Sequence, residues 1–122
     1  MKKLKILITG SQGFLAKNLA RTLNSKKFYV YGIGRGNWNR SEHKKWGYKK
    51  NINDNISLKN ILKYKIRFDY VIHCAGKVIG LLPEDDCQRN VATTQSVLEY
   101  ISQKKIKPKL IFMSTLAVYG NS

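Results

Sequence analysis

The stretch Thr9-Gly10-Ser11-Gln12-Gly13-Phe14-Leu15-Ala16 constrains this chain most, because of what flanks it. Before it, Leu4 to Thr9 is an apolar run with β-branched residues, the pattern of a strand buried on both faces. After it, Phe14 to Leu23 carries Leu15, Leu19 and Leu23 at four-residue spacing with Ala16 and Ala20 beside them, one apolar helix face that Asn24-Ser25 would end. A strand, a glycine turn and a helix in that order suit a pyrophosphate, with a glycine-rich turn of some other α/β protein as the alternative. Gly10 can make the tight turn, Gly13 removes a side chain where phosphate must touch backbone, and the helix start offers free N–H groups. Ala16 stands where a small residue packs the helix onto the strand. Gln12, Phe14 and Leu15 complete a predicted pyrophosphate loop.

The rest of the chain keeps the same rhythm. Phe28 to Ile33 reads as a second strand, after which Gly32, Gly34 and Gly36 give backbone that a ligand can approach closely. A loop follows, then a short helix over Ile56 to Tyr64 from the pattern of Leu58, Ile61 and Leu62. Tyr70 to His73 is a buried strand leading into Cys74-Ala75-Gly76, and Pro83 marks a break. From about Asp85 to Gln103 a longer helix is predicted, with Asp85 and Asp86 at its positive end and Val91, Leu98 and Ile101 on one face. Leu110 to Met113 is the last strand. Such alternation predicts one α/β domain over residues 1–122, a doubly wound parallel sheet of about five strands. The chain stops at Ser122 with no helix to cover that last strand, so a longer protein, truncated before its substrate-binding region, is the expectation.

Composition sets bounds on partners. No apolar run approaches the roughly 20 residues of a membrane span, and Met1-Lys2-Lys3 leads straight into the first strand without a signal pattern, so a cytoplasmic protein is expected. Cys74 and Cys87 lack metal-ligand spacing and read as free thiols. The 23 basic residues exceed the 7 acidic ones, a net charge of +16, which raises nucleic acid as an alternative partner. The lysines are nevertheless dispersed in pairs, with no aromatic-interleaved stripe, which favours a solvated surface.

Four segments in order carry a family resemblance. Thr9 to Ala16 resembles the TGxxGxxG fingerprint of short-chain dehydrogenases/reductases, in the form with Phe after the second glycine found in the extended, nucleotide-sugar-modifying branch. Val71 to Gly76 is similar to that branch's strand-four HxAA segment, which implies that Cys74, Ala75 and Gly76 lie along the cofactor's ribose and nicotinamide side. Asn90-Val91, Thr93-Thr94 and Val97-Leu98-Glu99 resemble its N-V-x-G-T-x-x-V-L-E helix, although Thr93 stands where glycine is usual. Phe112 to Gly120 resembles the F-x-S-[ST]-x-x-V-Y-G segment. The resemblance implies a Rossmann-like fold, an NAD or NADP cofactor, and hydride transfer at a sugar carbon of a nucleotide-sugar substrate by an epimerase, dehydratase or reductase.

By that resemblance Thr115, next to Ser114, supplies the catalytic hydroxyl that hydrogen-bonds the substrate oxygen, and Asn90 supports the water network of the active site. Tyr119 is not the general base: that role belongs to the Tyr of a Tyr-x-x-x-Lys motif, and Gly120, Asn121 and Ser122 end the chain before any Lys. Negligible hydride transfer by this chain alone is therefore expected. Cofactor preference is set after the second strand, where an acidic residue suits NAD and an Arg suits NADP. Here Gly34 takes the acidic position, with Arg35 after it and Arg40 close by, which points to NADP; Asn51, beside Ile52, stands where the family often has Asp near the adenine. A homodimer through the helix around Asn90 is a further implication. A non-catalytic, NADP-sensing regulator and a nucleic-acid binder are the alternatives from other functional classes.

Overall fold

A computed structural model of the chain describes residues 3–74 and 84–113, the stretch 84–90 by its backbone alone. The elements run β1 (Lys5–Thr9), α1 (Phe14–Ser25), β2 (Tyr29–Gly34), α2 (Arg40–Lys45), β3 (Tyr48–Asn53), α3 (Leu58–Ile61), β4 (Tyr70–His73), α4 (Glu84–Gln103) and β5 (Lys109–Phe112). The five strands form one sheet in the order β3-β2-β1-β4-β5, and every pairing is parallel. The chain thus winds outward from β1 in one direction and then in the other, as a doubly wound Rossmann-like fold does.

Why β1 sits in the middle follows from its side chains. Alternate residues of a strand face opposite sides. Ile6 and Ile8 enter one buried cluster with Ala16 and Ala20 of α1, Val30, Tyr48 and Ile72. Leu7 enters the other with Ile33, Val71, Ile61 of α3, and Val97 and Tyr100 of α4. A strand apolar on both faces needs a helix layer on each. Tyr31, Tyr64 and Phe68 fill part of the second layer edge to face, with centroids 5.5 to 5.6 Å apart.

Three expectations are corrected. Residues 34–55 are not a plain loop: they contain α2 and β3, and β3 is the fifth strand that the four apolar runs do not supply. It escapes hydropathy because it lies at the sheet edge, where Tyr48 is buried while Lys49 and Lys50 face solvent. A register shift against Val30/Tyr31 further breaks its alternation. The short helix is also narrower than expected, because the Ser57 side chain caps it by accepting from the Asn60 N–H at 3.2 Å. On α4 the buried stripe runs through Val97 and Tyr100 with Ile101 beside them, whereas Val91 and Leu98 are 57% and 49% exposed. Val91 and Leu98 lie seven residues apart and share a stripe turned away from the sheet.

Some of the positive charge lies against aromatic rings. Lys17, Arg21 and Lys45 lie 4.6, 5.2 and 5.9 Å from the centroid of Trp46, fastening α1 to the end of α2. Lys3 and Lys49 flank Tyr29 at 4.7 and 4.4 Å. Among the described residues no helix is long and apolar enough to cross a membrane.

Candidate functional site at the carboxyl ends of the strands

In a parallel sheet the loops that leave the carboxyl ends of the strands share one rim, and a crevice opens where the winding reverses, here between β1 and β4. The loop after β1 turns sharply. Gly10 has φ +71°, a left-handed conformation that suits glycine, and its N–H and that of Ser11 donate to the Ile33 carbonyl at 2.8 and 3.2 Å. Gly13 then caps α1, with its N–H bonded to the Gly10 carbonyl at 3.0 Å.

The first bond within α1 runs from Lys17 N–H to the Gly13 carbonyl. The N–H groups of Phe14, Leu15 and Ala16 precede it, no side chain caps them, and the first turn holds no acidic residue. Phe14 is 81% exposed, so its side chain does not fill the crevice floor. A Cβ on Gly13 would meet protein only at the Gly10 carbonyl, at an ordinary 3.4 Å, so the space in front of the cap is left open. Free donors, the positive end of a twelve-residue helix and an open approach fit a diphosphate.

Gly34 and Arg35 stand at the end of β2 on the same rim, with Arg35 exposed. The first acidic residue in the whole chain is Glu42, so no carboxylate arises from the glycine loop or from the turn after β2. The glycines of this turn also have a task within the protein. A Cβ on Gly34 would come within 3.0 Å of the Ser11 N and Oγ, and one on Gly36 would run into the Gln12 side chain. They admit the protein's own glycine loop.

Asn51 and Ile52 lie on β3, whose end reaches the same rim. Ile52 is half-buried against the α3/α4 core. The Asn51 side chain is engaged within the protein: the Ser11 hydroxyl donates to its Oδ1, and its Nδ2 donates to Asn53 Oδ1 at 2.6 Å. Gln12 also reaches Asn53, its Nε2 donating at 3.0 Å. Ser11, Asn53 and Tyr48, whose hydroxyl donates to the Ser11 carbonyl at 2.8 Å, are parts of this rim that hydropathy could not find. The one available signal was Asn-Ile-Asn at 51–53, which places two amides on one face of a strand.

At the end of β4, His73 is buried between two hydroxyls, with Nδ1 2.5 Å from Thr9 Oγ1 and Nε2 3.1 Å from Thr94 Oγ1. Burial holds its pKa below the ordinary value, so the ring is neutral and joins β1, β4 and α4. Cys74 follows as a free thiol, half-buried, with its pKa pushed up to about 11 by burial. It is a packing residue at neutral pH rather than a nucleophile. Ala75, Gly76, Ser114, Thr115 and Tyr119 lie outside the described residues, as does the side chain of Asn90. Among the described residues no group of His, Cys, Asp and Glu could hold a metal ion.

The order of the strands and the open glycine turn agree with a family model described as the NAD dependent epimerase/dehydratase family, which matches residues 6–122. The chain belongs to that family. Among solved structures, it is similar to UDP-glucose 4-epimerase from Bifidobacterium longum, in complex with NAD+ and UDP, at 26% identity and a TM-score of 0.78. That match covers 95% of this chain and 38% of the other. UDP-N-acetylglucosamine 4-epimerase from Bacillus cereus matches at 18% identity and a TM-score of 0.72, over 93% and 36% of the two chains. A short-chain dehydrogenase/reductase from Saccharomyces cerevisiae matches at 17% and 0.63, over 93% and 54%. The two last support the fold alone. No curated protein matches the chain. It therefore corresponds to less than two-fifths of the length of the two epimerases.

Proposed function

We propose that this chain is the dinucleotide-binding portion of a nucleotide-sugar epimerase, dehydratase or reductase, and that it prefers NADP to NAD. The observation that carries the reading is the uncapped start of α1 above Gly10 and Gly13, set at the crevice where the winding reverses. Gly10, Gln12, Gly13, Phe14 and Leu15 form the loop that takes the pyrophosphate. Gly34 and Arg35 face the adenosine ribose, Asn51 and Ile52 the adenine, and Cys74, Ala75, Gly76, Asn90 and Ser114 the nicotinamide side. The Bifidobacterium epimerase was solved with NAD+ and UDP, which supports a dinucleotide and a nucleotide-sugar substrate here.

The preference for NADP rests on charge. A 2′-phosphate needs a cation and no competing carboxylate, and the turn after β2 offers exposed Arg35 with no acidic residue before Glu42. The bound dinucleotide supplies the hydride acceptor or donor for a sugar carbon. The chain's own part is to hold and orient it, and Thr115 is the hydroxyl proposed to hold the substrate oxygen. No step uses Tyr119 as a base.

Calorimetric titration of the chain with NADPH and with NADH tests this. NADPH should bind the tighter, and Arg35→Ala should weaken NADPH by about tenfold while changing NADH little, as loss of a charge-assisted contact implies. Equal loss for both dinucleotides would sink the phosphate argument. Binding of neither by folded protein would sink the dinucleotide reading itself.

A further inference from the structure

The side chains that join the glycine loop to β3 form a chain of hydrogen bonds whose direction is fixed by one peptide group. Asn53 approaches the Trp38 carbonyl at 2.7 Å, and a carbonyl can only accept, so Asn53 presents its Nδ2 there. Its Oδ1 must then face the other way, where Gln12 and Asn51 both approach it at 3.0 and 2.6 Å. Each of those amides is thereby obliged to present nitrogen. Asn51 consequently turns its oxygen to Ser11, whose hydroxyl is the donor. Every bond in the series runs one way, ending on Trp38.

Two glycines on the strand and turn beneath make room for it. A Cβ on Gly32 would collide with Asn51 Oδ1 and come within 2.6 Å of Ser11 Cβ, and a Cβ on Gly36 would collide with the Gln12 amide. The turn from Gly34 to Trp38 therefore packs close to Ser11 at Gly34 and to the Gln12 side chain at Gly36, and Asn53 holds it by the Trp38 carbonyl. Arg35 is the exposed residue between the two glycines. No charged side chain takes part in the clamp, so the holding is done without adding charge beside the arginine.

From this the geometry points to Asn53 and Gln12 as positioning residues for cofactor discrimination. They set the path of the turn that carries Arg35, and with it the preference between a ribose bearing a 2′-phosphate and one bearing a hydroxyl. The inference rests on the dinucleotide reading above. It adds that the neutral amide at position 53 is required: a carboxylate there would put one oxygen against the Trp38 carbonyl and a negative charge on the rim that meets the phosphate.

The test is a set of titrations of the full 122-residue chain with NADPH and NADH, using the parent protein, Asn53→Ala, Asn53→Asp and Gln12→Ala, each checked by thermal unfolding. The ratio of NADPH to NADH affinity should fall about fivefold to tenfold in Asn53→Ala and further in Asn53→Asp, the range expected when a charge-assisted contact is misplaced. Gln12→Ala should move the ratio in the same direction. The decisive arm is a cycle with Arg35→Ala: in that background Asn53→Ala should change the ratio by less than about twofold, because non-additivity is the mark of one residue acting through another. If the folded variants keep the parent ratio, or their effects add to that of Arg35→Ala, the clamp is structural only and the inference is wrong. If the parent protein binds neither dinucleotide, or prefers NADH, the function proposed above fails first and takes the clamp with it.

Discussion

His73 shows how a single side chain can connect the site to the stability of the fold. Its two ring nitrogens meet Thr9 and Thr94, and a neutral ring has one donor and one acceptor for two hydroxyls that can play either part. Burial lowers its folded pKa below the unfolded value of 6.5, so the unfolded chain binds the proton more readily. The resulting stability is fully present above about pH 6.5 and is lost as pH falls from there through the folded pKa. His43 is shifted in the same direction, by burial and then by Lys44 and Arg40, so the wild-type curve contains both. Urea unfolding from pH 7.5 to 5 should show the decline, and His73→Gln should flatten it in part. A variant whose curve parallels the wild type would show that the ring is not the group responsible. From sequence, His73 was legible only as one letter of a motif, because its partners come from β1 and α4. Asn53 was invisible for the same reason: a polar side chain's role depends on which carbonyl it meets, and hydropathy does not record that.

At the scale of elements, legibility follows the apolar pattern. β1, α1, β2, β4 and β5 fall within one or two residues of their expected limits, since an apolar run or a helical stripe marks each of them; in β1, α1, β2 and β4 that pattern is buried, whereas the four residues of β5 are exposed. β3 has only Tyr48 and Ile52 to bury, and six residues of helix in α2 bury none, so neither leaves a periodic trace. Besides its ladder with β2, two hydroxyls hold β3. Its own Tyr48 hydroxyl donates to the Ser11 carbonyl on one face of the sheet, and the Tyr64 hydroxyl meets the Lys50 carbonyl of β3 at 3.0 Å and the Gly32 carbonyl of β2 at 2.6 Å on the other. Burial pushes both phenols above their ordinary pKa, so both remain donors across any practical pH. Tyr48→Phe keeps the ring in its cluster and removes one bond to the glycine loop. It should cost about 1 kcal/mol, and so lower the midpoint of thermal unfolding by about 3–5 °C. Faster amide exchange at Ser11 to Gly13 should accompany it; an unchanged melt and unchanged exchange would show that the hydroxyl does not anchor the loop.

For the molecule as a whole, the dominant physical fact is charge. A net of +16 on 122 residues repels itself, and among the described residues Lys63 pairs with Asp54 only at 4.0 Å, with both side chains about half exposed. An exposed pair at that distance contributes little. Added salt should therefore stabilise this protein rather than weaken it, because screening removes more repulsion than attraction. Melting midpoints measured from low ionic strength to about 0.15 M sodium chloride, where the screening length is about 8 Å, should rise by a few degrees. A fall would mean that the cation–ring contacts and unseen attractive pairs outweigh the net charge. The strand order also has a history in time. β1 bonds to β2 on one side and to β4 on the other, so β1, made before both, cannot be enclosed until residues 70–73 have been made. Until then one long apolar edge is open to any neighbouring chain. The lysine pairs at 44–45 and 49–50 are synthesised during that wait, where like charge on neighbouring chains opposes their pairing, and in the finished sheet Lys49 and Lys50 stand on β3, the edge strand, where the same repulsion still applies.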